Sequence, residues 1–109
     1  MIPLDLWNSE EMKKRRENAT AKALKEKPEV RLAATEEGSR YYSVKDGTYL
    51  VQTYCDPDGQ YFVECNCQAG SPPLDEATGL PSREAQPCYH AAAVLIHIAE
   101  EEKSDEGRD

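Results

Sequence analysis

Apolar and polar side chains alternate along three consecutive stretches in the middle of the chain. Because side chains two apart lie on the same face of a strand, each stretch presents one apolar face: Tyr42 and Val44 in residues 40–45, Tyr49 and Val51 in residues 48–55, and Tyr61, Val63 and Cys65 in residues 60–66. Turn-forming residues separate the stretches, with Asp-Gly at 46–47 and Asp-Pro-Asp-Gly at 56–59. The pattern predicts a three-stranded antiparallel meander, or a four-stranded one if residues 30–33 add a short edge strand.

A helix-forming segment precedes this meander. Asn8 is a candidate N-cap that forms a capping box with Glu11, and good helix formers continue to Lys27, where Pro28 ends them. The apolar face of this helix is thin and consists of Met12, Ala19 and Ala23. We therefore expect it to pack lightly or to project into solvent.

A second helix is predicted over residues 88–102, after a Gly-, Pro- and Ser-rich loop over residues 68–87. Its apolar positions cover more than one face and include Ala91, Val94, Leu95 and Ile98. The predicted fold class is α+β: a small antiparallel meander packed with the C-terminal helix, plus the N-terminal helix. We expect residues 1–28 to form an N-terminal anchor and helix, residues 29–102 the domain, and residues 103–109 an acidic disordered tail.

The apolar supply of this chain is small. It has 109 residues, 39% of them hydrophobic, and a mean hydropathy of −0.79. A core alone is marginal at this size, so that a metal or disulfides commonly supplement it. The net charge of −8 disfavours nucleic-acid binding by the molecule as a whole. Residues 1–34, however, hold eight basic and six acidic residues and offer the one positive surface.

Two short clusters supply the candidate metal ligands. Cys65 and Cys67 form a C-x-C pair, and Cys88 and His90 form a C-x-H pair twenty residues further on. Three thiols and an imidazole are a complete tetrahedral ligand set for Zn²⁺, which leaves no open position for water. The sequence thus predicts a structural zinc site, which would also fix both ends of the long loop.

Disulfide bonding is the alternative use of these cysteines. We find neither a signal peptide nor an apolar run long enough to span a membrane, so we expect a soluble cytoplasmic protein with no membrane partner. Because a reducing compartment disfavours disulfides, zinc is the favoured interpretation. The ligand set is complete without Cys55 and His97, which we interpret as packed or surface residues rather than ligands.

These residues together resemble the SWIM zinc finger family. The resemblance covers roughly residues 40–99 and depends on the order and spacing of four segments: Tyr49-Leu50-Val51, Cys65-Asn66-Cys67, Cys88-Tyr89-His90 and the apolar run Ala91–Ile96. Family members often carry lysine at the position of Tyr89, and the loop between the two pairs is long for the family. The resemblance implies a small β-β-α zinc module, a non-catalytic metal, and a role in protein–protein contact or DNA binding.

We expect no enzymatic activity, because no nucleophile–base pair or phosphate-binding loop is present. Three functional interpretations remain open. The first is an adaptor that contacts another protein, and the second is a DNA-binding module that uses the basic cluster Lys13, Lys14, Arg15 and Arg16. That cluster is also compatible with a solvated, salt-bridged helix. The third is a structural domain of a larger machine.

Overall fold

A computed structural model of the protein describes residues 2–67, 72–80 and 85–106. Its elements in chain order are β1 (Ile2–Pro3), α1 (Leu4–Trp7), a 3-10 turn (Glu10–Met12), α2 (Lys13–Glu26), β2 (Val30–Glu36), β3 (Ser39–Val44), β4 (Tyr49–Cys55), β5 (Tyr61–Cys65) and α3 (Tyr89–Glu106). The α+β class and the two terminal helices are as predicted. The sheet has five strands, whereas the sequence predicted three or four.

All five strands are antiparallel, in the order β1-β5-β4-β3-β2. Val51 of β4 lies opposite Tyr42 on one side and Cys65 on the other, so the apolar faces of the three central strands coincide. Helix α3 contacts β2 to β5, and α2 packs against α3. The core lies between sheet and helices and contains, among other residues, Tyr42, Val44, Val51, Val63, Ala91, Ala92 and Val94.

The turn between β3 and β4 has the predicted residues at its centre. Lys45, Asp46 and Gly47 all have positive φ values, of 56°, 55° and 87°. The Thr48 amide donates to the Lys45 carbonyl oxygen at 3.1 Å. Asp46 and Gly47 therefore lie at the centre of the reversal, as predicted. The connection between β3 and β4 has four residues (45–48) rather than the predicted two, because Lys45 has already left the strand conformation.

The first strand was not predicted. Ile2 and Pro3 pair with Val63 and Phe62 at the free edge of β5, and the chain then turns into α1, which buries Trp7. Ile2 and Trp7 are 3% and 4% exposed. The apolar anchor expected at the N-terminus is therefore present, and it also extends the sheet by one strand.

The start of the N-terminal helix differs from the prediction. Asn8 ends α1, a 3-10 turn follows, and no side chain caps either that turn or α2. The Asn8–Glu11 capping box is therefore wrong. The Arg16 guanidinium instead donates to the carbonyl oxygens of Trp7 and Ser9 at 2.7 and 3.0 Å. A side chain from the second turn of the helix thus holds the connection in place.

Two further element boundaries are corrected. Strand β2 is seven residues long, and its register shifts between Leu32 and Ala34, so the edge strand is longer than residues 30–33. Helix α3 continues to Glu106 instead of ending near residue 102, and residues 107–109 of the expected tail lie outside the described residues. In the part of the chain that the structure describes, no helix is long and apolar enough to cross a membrane.

The strand register gives a matched pair of substitutions. Val51 is completely buried, whereas its neighbour Leu50 is 42% exposed on the opposite face. We expect Val51→Ala to lower the free energy of unfolding by about 2–3 kcal/mol through lost burial and a cavity. Leu50→Ala should cost less than about 1 kcal/mol. Urea denaturation of both variants is the measurement, and a larger loss for Leu50→Ala would contradict the register.

Candidate metal centre

The two cysteine clusters converge where the sheet meets α3. Cys65 is the last residue of β5 and Cys67 follows two residues later, whereas Cys88 immediately precedes α3 and His90 is its second residue. One ligand atom from each of the four lies within 4.8 Å of all the others. The predicted ligands are therefore brought together as a group that could hold a metal ion.

Asn66 fixes the chain between the first two cysteines. The Leu50 amide donates to the Asn66 side-chain oxygen at 3.0 Å, and the Asn66 amide donates to the Leu50 carbonyl oxygen at 3.1 Å. Both bonds attach the end of β5 to β4. Asn66 is exposed, whereas Cys65 on one side of it is buried and Cys67 on the other is half-buried. The two hydrogen bonds therefore fix the backbone between the cysteines from the solvent side.

The helix start orients Cys88. The Ala91 amide donates to the Cys88 sulfur at 3.4 Å, and the Ala92 amide donates to the Cys88 carbonyl oxygen at 3.0 Å. Free amides and the positive end of the helix dipole stabilise a thiolate at this position. Cys88 therefore serves both as a helix cap and as a candidate ligand.

Aromatic rings hold the imidazole of His90. The Tyr49 ring stacks on it with centroids 3.8 Å apart, and the Tyr89 ring lies at 4.0 Å. Its Nδ1 atom faces the Cys65 sulfur at 3.7 Å, and among the described residues its buried Nε2 atom has no hydrogen-bond partner. The structure thus presents Nδ1 to the thiol cluster.

Mutual hydrogen bonds and burial shift the pKa values of Cys65, Cys88 and His90. Hydrogen bonds to the Cys67 and Cys88 thiols, together with burial, raise the pKa of the Cys65 thiol far above its usual value. For Cys88, a hydrogen bond to Cys65 lowers the pKa, but the bond to Cys67 and burial outweigh it and the pKa rises to about 11. Burial lowers the pKa of His90. Without a cation the Cys65 and Cys88 thiols hold their protons, and a bound metal would displace them.

The group fits a tetrahedral metal ion in size and chemistry. Bond lengths of about 2.3 Å to sulfur and 2.0 Å to nitrogen imply a sulfur–nitrogen edge of about 3.5 Å and a sulfur–sulfur edge of about 3.8 Å. The 3.7 Å contact between Cys65 and His90 is close to the sulfur–nitrogen edge, and the 4.8 Å limit requires only a small contraction. No disulfide bond joins any of the four cysteines at positions 55, 65, 67 and 88.

Cys55 and His97 lie outside this group. The Cys55 thiol donates to the Asp56 carbonyl oxygen at 3.6 Å. His97 pairs with Glu101 through its Nε2 atom at 2.9 Å and packs edge-on against Tyr42. Their interpretation as packed or surface residues agrees with these contacts.

The basic cluster divides into two parts. Arg16 is occupied by its two backbone hydrogen bonds, whereas Lys13, Lys14 and Arg15 are exposed on α2. Sequence reasoning did not anticipate a second group of cations, formed by Lys22 and Lys45 over the Tyr89 ring. These lysines are far apart in the chain and meet only through the fold, so no local pattern indicates them.

Comparisons with protein-family models, with curated proteins and with solved structures found no match for this chain.

The free thiol Cys55 is a matched control for the cluster. We expect Cys88→Ser to abolish stoichiometric metal retention, because a serine hydroxyl is a poor zinc ligand and the helix-start ligand is lost. Cys55→Ser should retain as much metal as the unmodified protein. Native mass spectrometry measures both. Equal metal content in the two variants would rule out Cys88 as a ligand.

Proposed function

We propose that the chain is a non-catalytic zinc-binding module of the SWIM type that mediates contact with another protein. The observation that carries this proposal is the convergence of Cys65, Cys67, Cys88 and His90 within 4.8 Å at the junction of sheet and helix. The order C-x-C then C-x-H, with a strand before the first pair and a helix after the second, agrees with the SWIM arrangement.

Zinc is the ion that best suits these donors. Thiolates and imidazole favour zinc over magnesium or calcium, which prefer oxygen ligands. Zinc would lie among the three sulfurs and the His90 imidazole and stabilise the thiolates as a Lewis acid. Cys65 and His90 are only 1% and 4% exposed, which suits a structural ion.

The proposed absence of catalysis follows from the ligand count. Four protein ligands complete a tetrahedral site and leave no coordination position for a reacting water. The Tyr49 and Tyr89 rings against His90 also restrict access from that side. A metal here would stabilise the fold, and function would depend on the surrounding surface.

A groove between the sheet and α3 supports the protein-contact role. Its volume is about 700 Å³, and its lining combines apolar side chains, among them Leu4, Leu95 and Ile98, with the charged residues Glu36, Arg40 and Glu102. Concave surfaces that combine an apolar area with charged residues are common at contact sites. The overall charge of −8 also favours a protein partner over a polyanion.

DNA binding is the second candidate function, and one observation favours it. Lys13, Lys14 and Arg15 are exposed on the same helix and form no ion pair among the described residues. They could contact a phosphate backbone, although three cations provide a small electrostatic footprint.

One set of variants separates the two candidates. With the zinc-loaded chain as bait, we expect Ile98→Glu to lose a specific protein partner, because a charge would enter the apolar part of the groove. Leu24→Glu, at a position 57% exposed on α2, should keep that partner. Affinity purification with quantitative mass spectrometry is the measurement.

The protein-contact role would be contradicted if the zinc-loaded chain bound a 20-base-pair DNA duplex instead. Micromolar affinity that falls steeply with salt, and is lost in a Lys13→Gln, Lys14→Gln, Arg15→Gln variant but not in Ile98→Glu, would replace the adaptor role with DNA binding.

A further inference from the structure

A small basic concavity lies between α2 and the start of α3, with Tyr89 in its lining. Its volume is about 240 Å³, and it is lined by Arg15, Asn18, Ala19, Lys22, Pro87 and Tyr89. Arg15 and Lys22 are seven residues apart, two helical turns, and therefore lie on the same face of α2. The fold thus places two helix cations and one aromatic ring around a single depression.

Lys45, from the β3–β4 turn, is not part of this lining but approaches the same Tyr89 ring. Its ammonium lies 4.8 Å from the Tyr89 ring centroid, and the Lys22 ammonium lies 4.3 Å from the same centroid. A hydrogen bond to the Tyr89 side chain raises the pKa of Lys45, so its ammonium stays charged. Two ammonium groups from different elements are therefore held near one ring, despite their mutual repulsion.

Among the described residues these cations form no close ion pairs, although the nearby Glu26 carboxylate contributes to raising the pKa of Lys45. Within the described part of the chain, no carboxylate forms an ion pair with Arg15, Lys22 or Lys45. Acidic residues outnumber basic ones by 21 to 13 in the whole sequence. An unpaired group of three cations on so acidic a chain is a local excess of positive charge with donors available for a ligand.

We propose that this concavity binds the phosphate group of a small molecule. The Arg15 guanidinium offers a two-pronged donor to phosphate oxygens, the Lys22 ammonium offers further donors, and the Asn18 amide lies in the same lining. The Lys45 ammonium, over the shared Tyr89 ring, adds positive charge nearby. The ligand is small because the cavity is small, and because the net charge of −8 on the chain as a whole repels a long polyanion. This site is separate from the proposed protein contact and needs only the folded, metal-loaded chain.

A different role for the lysines is charge balance at the metal centre. Zinc with three thiolates carries a net charge of −1, and Tyr89 contacts the ligand His90. If Lys22 and Lys45 only balanced that charge, their removal would weaken metal retention and leave phosphate binding unchanged. The experiment must therefore measure both quantities on the same variants.

The test compares adenosine monophosphate with adenosine, which lacks only the phosphate. When the zinc-loaded full chain is titrated with the monophosphate, the amide chemical shifts of residues near Arg15, Lys22 and Tyr89 should change and reach a plateau. Its affinity should be at least about tenfold higher than that of adenosine, and inorganic phosphate should compete with it. Lys22→Gln and Lys45→Gln should each weaken binding by about three- to fivefold with zinc content unchanged. Lys14→Gln, in the same helix but outside the concavity, is the control.

Three results would overturn the site. The first is equal binding of adenosine and its monophosphate. The second is a loss in Lys14→Gln as large as that in Lys22→Gln, which would indicate nonspecific attraction. The third is loss of zinc from the lysine variants with undiminished monophosphate binding, which would assign the lysines to the metal centre. A 20-nucleotide single strand should be tested in parallel. Its dissociation constant, expressed per phosphate group, should be no lower than that of the monophosphate, and a lower value would also contradict a site for a small molecule.

Discussion

The rest of the structure depends on the meeting of three thiols and one imidazole inside a small core. Buried polar groups destabilise a fold unless they find partners, and here Cys65, Cys88 and His90 are all buried. The raised pKa values of the two thiols show that the cluster favours protons or a cation over bare negative charge. A divalent metal ion would reverse this situation, because it would bind the deprotonated groups and join β5 to α3.

Other features of the chain agree with that dependence. Among the described residues, the largest fully buried side chains are Tyr42 and Met12, followed by four valines and Cys65. The connection between the two ligand pairs spans twenty residues, with little regular structure in its described parts, residues 72–80 and 85–87. A metal holding both ends would limit the entropy of this connection. Burial, connectivity and donor chemistry therefore indicate the same site.

The sequence predicted those parts of the fold that depend on local pattern. Alternation placed Val44, Val51 and Val63 on one face, and ligand type and spacing selected the metal group. It did not predict β1, because two residues carry no strand pattern and pair with a strand some sixty residues away. Similarly, the internal bonds of Arg16 and the approach of Lys22 and Lys45 to Tyr89 depend on tertiary contacts. A run of basic residues in the sequence does not show which of its side chains form hydrogen bonds within the fold and are therefore not available to a ligand.

The most direct measurement is the effect of metal removal on the folded state. We expect the purified protein to contain one zinc per chain. A strong chelator should collapse the dispersion of its amide nuclear magnetic resonance spectrum, and one equivalent of zinc should restore it, because metal binding and folding are coupled in small domains of this kind. A spectrum that stays dispersed after the metal is removed, or a protein purified without metal and fully folded, would contradict the central role of the cysteine–histidine group.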